Sequence, residues 1–501
     1  MKLYFETSNF PWSPERYHYA AEQMMLTIFP GERPEYPEGP LPRDLSGEDN
    51  AAVFTLHRGK KLTNISVLVF RPQGYYNGVS RFPSEELDRP PEEVYHTVQH
   101  ALKLAFYKAG TALLGAEPPW GALTGVRPVK LPTRAILAGS TPNQARKELE
   151  KEYHVSPDRA KLAVDCAQAS VAAQRSLHSR QVSLYIGIPF CPTRCAYCSF
   201  VSADVGRTLK LVEPYVDGLL REVAETGRVL KEAGLDVRSF YMGGGTPTTL
   251  SAEQLDRLLS HCEQHLPLAG CTEYTVEAGR PDTITREKLE VLKAHQIGRV
   301  SINPQTLEDP VLEAIGRKHS AGDIRAAYDL ARAVGFGCVN MDLIAGLPQD
   351  SFQGFRRSLE GVLDMGPENI TVHTLALKRG SALMEQRRNL PGGGEVAIML
   401  DFSRERLTTE GYFPYYLYRQ KYMSGSLENV GWARPDTESL YNIVMMEELH
   451  TVVSLGAGGV TKLVGSGNIL RLTNPKYPQD YLSSLDKVLG QKAEIGAFYR
   501  T

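Results

Sequence analysis

Residues 185–200 read Tyr-Ile-Gly-Ile-Pro-Phe-Cys-Pro-Thr-Arg-Cys-Ala-Tyr-Cys-Ser-Phe, and the rest of the chain is organised around them. Three of the seven cysteines, Cys191, Cys195 and Cys198, fall within eight residues. An apolar, strand-like run, Val182 to Ile188, leads directly into them. A loop that leaves a strand carrying three closely spaced thiols suits an iron–sulfur cluster, because bridged iron sites need several thiolates around one small volume. Three protein ligands also leave one iron of a four-iron cluster open to a substrate or cofactor. Two plainer readings stand beside this one. The spacing i, i+4, i+7 would place all three cysteines on one buried face of a helix. A structural zinc site is the other, although it takes four ligands in paired short spacings and no fourth Cys or His lies nearby.

Outward from this loop, the pattern from Gln181 alternates short β-rich runs with helices. The predicted strands are Val182–Ile188, Arg238–Met242, Glu273–Glu277, Arg299–Asn303, Phe336–Ile344 and Asn369–Leu375. Amphipathic segments separate them: 211–233, 252–265, 286–295, 311–315 with 322–334, and 352–364. Repeated βα units build a parallel sheet with right-handed crossovers. Six units are fewer than the eight of a closed barrel, so the expected fold is α/β, an open partial (β/α)6 barrel. Its chemistry should sit at the C-terminal strand ends.

The notable motifs fall at those ends. The cysteine loop follows the first strand and Gly243-Gly244-Gly245-Thr246-Pro247-Thr248 the second. Glycines there let backbone approach a ligand closely, although a Gly-rich strand-to-helix turn is often only a turn. Glu277 ends the third strand, Gln305 follows the fourth, Asp342 lies in the fifth, and His373 lies in the sixth with Lys378 and Arg379 after it. An acid inside an apolar strand is costly unless paired or bound. Each of these could be a satisfied core group; together they read as one polar site facing the cysteine loop.

The flanks are less explicit. Residues 1–180 form an N-terminal α+β module with a predicted hairpin (51–56 and 62–70), a helix over 92–115 and a turn-rich segment at 120–128. Arg127 there suits either a carboxylate clamp or an ordinary salt bridge. Residues 381–501 read as a small C-terminal cap covering a substrate, after a predicted core at 181–380. It carries a helix over 396–407 and five tyrosines, Tyr412, Tyr415, Tyr416, Tyr418 and Tyr422, beside Arg419 and Lys421. Such a set suits a flat macrocycle bearing carboxylates, or simply an interdomain core.

Whole-chain properties exclude several classes. A chain of 501 residues has room for two to four domains at roughly 100–200 residues each. A net charge of −2 offers no basic field for nucleic acid or an anionic membrane. No apolar run approaches the roughly 20 residues that span a bilayer. The start, Met-Lys-Leu-Tyr-Phe-Glu, argues against a signal peptide. An odd number of cysteines, three of them clustered, points to a reduced, cytoplasmic setting.

Cys191-x3-Cys195-x2-Cys198, with Tyr197 before the third cysteine, resembles the radical S-adenosylmethionine (SAM) signature. Tyr185-x3-Pro189-Phe190-Cys191 and residues 243–248 resemble the oxygen-independent coproporphyrinogen III dehydrogenase and haem-chaperone group. Residues 411–421, 428–432 and 454–462 are similar to the branch called HemZ, and the resemblance covers most of the chain. It implies a radical SAM partial barrel in which Cys191, Cys195 and Cys198 hold a [4Fe–4S] cluster and SAM chelates the open iron. It implies that Tyr185, Gly244 and Glu277 line that SAM site. Tyr197, Gly245, Thr246, Gln305, Arg317 and Asp342 match positions that hold a second SAM in porphyrinogen-acting relatives, so one or two SAM molecules are expected. The turn at 455–463 matches a loop that closes over the adenosyl group.

The implied reaction is radical oxidative decarboxylation of two propionates of coproporphyrinogen III to vinyls, giving protoporphyrinogen IX in haem biosynthesis. The implied partners are a tetrapyrrole and an external electron donor such as a flavodoxin or ferredoxin, with no nucleic acid and no membrane. The same resemblance allows a haem chaperone that binds or transfers haem, or another tetrapyrrole-acting radical SAM enzyme. Two positions depart from the group: Gly187 stands where relatives usually carry His, and Phe200 where the dehydrogenases carry Cys. In the second respect Cys198-Ser199-Phe200 is more similar to the haem chaperones.

Overall fold

The computed structural model describes residues 1–39, 41–198, 203–376, 383, 390–420, 427–465 and 468–500, with backbone alone at 203–207. Phe200, Lys378, Arg379, Lys421 and Tyr422 lie outside the described residues. The chain divides into two compact units, residues 1–164 with 425–427 and residues 165–424 with 428–501. Among the described residues no helix is long and apolar enough to cross a membrane.

The first unit is built on a four-stranded sheet in the order β1 (Lys2–Ser8), β2 (Ala51–Arg58), β3 (Leu62–Arg71), β4 (Gly74–Pro83). β2, β3 and β4 form an antiparallel meander, and β1 joins β2 in parallel after the crossover helix α1 (His18–Ile28). The expected hairpin is β2–β3. One face of the sheet is covered by α1 and by α2 (Pro91–Leu114). Met24, Met25, Val98, Leu102 and Phe106 bury against Phe54, Ile65 and Val67. A Cβ on Gly78 would stand 2.0 Å from the Ala105 carbonyl oxygen, so glycine lets β4 lie directly on the α2 backbone. Helices α3 (Lys130–Leu137) and α4 (Pro142–Tyr153) follow, and the unit boundary falls inside α5 (Pro157–Ser176).

The second unit carries the barrel. Six parallel strands are neighbours in sequence order: β5 (Gln181–Ile188), then β8 (Asp236–Gly244), β9 (Glu273–Gly279), β10 (Arg299–Ile302), β11 (Cys338–Ala345) and β12 (Asn369–Thr374). The labels β6 (Phe190–Cys191) and β7 (Ala203–Asp204) belong to a short parallel pair inside the cysteine loop. The strands are apolar because both faces are covered. Val182, Leu184, Ile186 and Ile188 of β5 are all fully buried, as are Val300 and Ile302 of β10.

Helices return the chain between strands: α6 (Val205–Glu232), α7 (Ala252–His265), α8 (Arg286–Ala294), α9 (Asp309–Ala314) with α10 (Ala321–Val334), and α11 (Phe352–Met365). Their ends are coded locally. Ser251 with Gln254, and Ser320 with Asp323, form capping boxes at α7 and α10, and Gly335 (φ 96°) closes α10 in the left-handed conformation.

The C-terminal residues extend the same sheet at both ends. After α12 (Gly393–Thr409), β13 (Phe413–Arg419) and β14 (Glu428–Ala433) add antiparallel beyond β12. After α13 (Leu440–Glu447), β15 (Val452–Leu455) pairs parallel with β5, followed by β16 (Val460–Val464) and β17 (Ile469–Thr473). The barrel is therefore open, and its two free edges are covered by strands from one C-terminal segment.

Candidate functional site

The site begins where β5 ends. Residues 192–198 run through bends and a turn, not a helix, so the one-faced helical stripe of cysteines is not formed. The Gly-rich loop after β8 lies against this segment. Gly245 N–H donates to the Ile188 carbonyl at 2.8 Å, Thr246 N–H to the Phe190 carbonyl at 2.7 Å, and the Thr246 hydroxyl reaches Cys191 Sγ at 3.6 Å. A Cβ on Gly245 would stand 2.4 Å from Phe190 O and 3.0 Å from Cys191 Sγ, so only glycine allows this approach. Gly244 adopts φ 111°, which again suits glycine alone.

The next strand ends supply carboxylates. Tyr241 on β8 donates to Glu277 on β9 at 2.6 Å. Burial pushes the Glu277 carboxyl up to about 7, with Asp342 adding to the rise and Tyr241, Gly244 and His373 opposing it. Asp342 on β11 behaves oppositely. Burial raises its pKa too, but His373, Asn340 and Thr371 outweigh that and hold it below the usual value. Asn340 donates to it at 2.9 Å, and His373 Nε2 lies 3.6 Å away. Gln305 follows β10 in the left-handed region (φ 67°), a conformation fixed by Gln305 N–H donating to the Asp342 carbonyl at 2.8 Å and Ile344 N–H donating to Gln305 O at 2.9 Å. Arg317 donates to Asn303 O at 2.6 Å and to the Tyr197 hydroxyl at 3.3 Å.

These groups enclose one cavity of about 390 Å³, within the range of small-molecule sites. Of the residues expected at the site, Cys191, Cys195, Cys198, Tyr197, Gly244, Gly245, Thr246, Glu277, Gln305, Arg317 and Asp342 line it. Tyr185 does not line it; it stacks with Tyr241 and Tyr441 at centroid distances of 6.3 and 6.2 Å. The aromatic run divides, with an irregularity of β13 between Pro414 and Tyr416. Tyr416 and Tyr418 line the cavity, their rings 6.3 Å apart and within 7° of parallel. Tyr412 instead donates to Pro367 O, Tyr415 is buried edge-on against Tyr416 without lining the cavity, and Arg419 is buried outside the lining, where burial draws its pKa down to about 10 against the nearby Glu428.

Sequence reasoning missed Tyr241, Arg280, Asn303, Asn340, Asn429, Asn442 and Met446, all of which line the cavity. Asn340 had a usable signal, because it shares its strand face with Asp342.

The turn at 455–463 is held by a buried network and does not itself line the cavity. Glu222, fully buried, pairs with Lys492 at 2.7 Å and accepts from Tyr481 (2.6 Å), Asn474 (2.8 Å) and Gly456 N–H (2.8 Å). Tyr215 accepts from Ala457 N–H and donates to the Gly187 carbonyl at 2.6 Å. A Cβ at Gly187 would already lie 3.3 Å from Ala457 O, so this turn occupies the space a larger side chain at 187 would need.

The donor set can be tested against a cluster. Among the described residues no three His, Cys, Asp or Glu side chains converge on a single metal ion. A bridged four-iron cluster attaches each thiolate to a different iron, so its ligands ring a volume instead of meeting at a point. Three thiols bordering one cavity meet that requirement. The buried Asn303 Oδ1 and Arg317 Nε have no hydrogen-bond partner, as polar atoms awaiting a ligand would. The residues present fit the group.

An open barrel of six parallel strands with a three-thiol loop after the first strand defines the class, and the radical SAM superfamily profile matches residues 185–360. The chain is 39% identical over 412 residues to the oxygen-independent coproporphyrinogen-III oxidase-like protein HemZ of Bacillus subtilis, covering 81% of this chain and 82% of that protein. It is 33% identical over 238 residues to heme chaperone HemW of the same organism, covering 46% of this chain and 62% of that protein. Among solved structures, coproporphyrinogen III oxidase (HemN) of Escherichia coli, a radical SAM enzyme, matches with a TM-score of 0.52 at 25% identity, covering 64% of this chain and 72% of that one. The chain belongs to the radical SAM superfamily, in the coproporphyrinogen oxidase-like and haem-chaperone group, on the HemZ branch. Membership of that superfamily implies a [4Fe–4S] cluster and SAM.

Proposed function

We propose that this chain is a radical SAM enzyme that oxidatively decarboxylates two propionates of coproporphyrinogen III, giving protoporphyrinogen IX. The observation that carries the reading is one cavity at the strand ends, lined at once by three thiols, a Gly-rich backbone, two carboxylates and two parallel tyrosine rings. Cys191, Cys195 and Cys198 would hold the cluster. Tyr185, Gly244 and Glu277 would serve one SAM, and Tyr197, Gly245, Thr246, Gln305, Arg317 and Asp342 a second. Bound cluster and SAM supply hydrogen-atom abstraction from carbon.

The protein's own residues bind and orient. Glu277, fixed by Tyr241 at 2.6 Å, suits an ammonium group. Asp342, kept ionised by its neighbours, suits ribose hydroxyls. Tyr416 and Tyr418 offer a flat apolar surface to a macrocycle, and residues 381–501 cover it. Each propionate, R–CH2–CH2–COO⁻, becomes R–CH=CH2 and CO2 by giving up one hydrogen atom and one electron. The electron passes to an external acceptor, and an external donor of the flavodoxin or ferredoxin type supplies the reducing electron. The setting is the cytoplasm.

A second reading, a haem chaperone that binds or transfers haem, is favoured by the similarity to HemW and by Phe200, which stands where the dehydrogenases carry Cys. An anaerobic assay of reconstituted protein with SAM, a reductant and coproporphyrinogen III separates the two. A vinyl-bearing product supports the enzyme. SAM cleavage with the tetrapyrrole untouched refutes it, and stoichiometric haem binding without turnover supports the chaperone.

A further inference from the structure

Arg280 stands just after β9, where Gly279 turns the chain at φ 68°. Its side chain runs into the cysteine loop, and the residue is only 3% exposed. Two of its nitrogens are held by Asp282, Nε to Oδ1 at 2.9 Å and Nη2 to Oδ2 at 2.8 Å. The third, Nη1, donates to the Thr193 hydroxyl at 2.8 Å and to the Thr193 carbonyl at 3.2 Å, and lies 4.0 Å from Cys195 Sγ. Thr193 sits midway between Cys191 and Cys195. One side chain thus ties the tip of the cysteine loop to the third strand end. The Asp282 fork fixes the guanidinium plane, so the remaining edge can face only the loop.

Building on the cluster reading above, we propose that Arg280 is a positioning residue that also tunes the cluster's reduction potential, with Asp282 setting how much of its charge the cluster feels. The physical argument is electrostatic. A cluster held by three thiolates grows more negative on reduction. A permanent cation buried beside one thiolate favours the reduced level, and low solvent access keeps that attraction from being screened. Asp282 lies on the other side of the same guanidinium and partly cancels it. Arg317 is a second cation beside the same Cys195, donating also to Asn303 O and Tyr197 OH and carrying no carboxylate on its guanidinium among these contacts, so the Arg280–Asp282 pair modulates an already positive surrounding.

The two partners therefore make opposite predictions, which a scaffolding role does not. The experiment is a potentiometric titration of the reconstituted full chain, followed by electron paramagnetic resonance of the reduced cluster, with iron and sulfide measured in each sample. Arg280→Met should leave about tenfold less protein reduced at a fixed potential, a shift of about 59 mV downward for one electron. Asp282→Asn should move the potential upward, and Arg280→Lys should fall between wild type and Arg280→Met. Loaded variants with the wild-type potential, or with potentials displaced in the same direction, overturn the tuning role. Should Arg280→Met fail to load, Asp282→Asn decides alone. Failure of both to hold four irons contradicts tuning and leaves the pair a scaffold. A wild-type chain that takes up no iron and sulfide overturns the cluster reading instead.

Discussion

Glu277→Gln is the most informative single substitution, because the cavity's electrostatics set its sign and size. Burial is the largest cause of the rise of this carboxyl from an ordinary 4.5 to about 7. At about 1.4 kcal/mol per tenfold, holding Glu277 ionised costs the ligand-free protein about 3 kcal/mol. The folded pKa lies above the unfolded one. The stabilisation therefore belongs to the protonated form: it is full below about pH 4.5, declines as pH rises to about 7, and is gone above that. Glutamine keeps an oxygen to accept from Tyr241 and removes the titration. Urea denaturation of ligand-free wild type and variant at pH 5 and pH 8 reads the difference. The variant should gain on wild type by up to about 3 kcal/mol between the two pH values. SAM, whose ammonium would stabilise the carboxylate, should bind wild type more tightly as pH rises through about 7, and the variant weakly at every pH. An equal stability difference at both pH values would refute the reasoning.

Gly245→Ala places a methyl 2.4 Å from Phe190 O and 3.0 Å from Cys191 Sγ, so iron loading should fall steeply while far-ultraviolet circular dichroism is unchanged. Lys492→Met leaves Glu222 charged and fully buried without its cation. It should cost about 3–5 kcal/mol in thermal or urea unfolding, and Glu222→Gln in the same chain should restore part of it. Tyr418→Ala should weaken tetrapyrrole binding, read by absorbance titration, more than it weakens SAM binding, read by calorimetry, because this ring stands with Tyr416 on β13, which five strands of the sheet separate from β8 and its glycine loop.

Legibility followed the range of the forces involved. The six barrel strands and the motifs at their ends could be read from sequence because each apolar run and each cap is local. That Tyr416 and Tyr418 share a face opposite Arg419 follows from parity once β13 is a strand, whereas the irregularity at Tyr415 has no local signal. The pairing of β15 with β5 was not legible, because no local signal states which strand a distant segment will join. β4 escaped as well; Gly74, Asn77, Gly78 and Pro83 interrupt its β-formers, and it is a strand because β3 offers it a full ladder. Arg280 hid inside Gly-Arg-Pro, which reads as a turn, and its meaning appears only when the fold brings Thr193 and Cys195 beside it. Tyr185 carries the family motif yet stacks behind the lining on Tyr241 and Tyr441.

The central claim, that this cavity runs radical chemistry on a porphyrinogen, is tested most directly by anaerobic turnover. Reconstituted wild-type and Cys195→Ala proteins are each given SAM, a low-potential reductant and coproporphyrinogen III, and the products are identified by mass spectrometry after oxidation to porphyrins. The account predicts a divinyl product from the wild type, with 5′-deoxyadenosine formed in step, and neither from the variant. Intact coproporphyrin from a wild-type protein that holds four irons and cleaves SAM would contradict it.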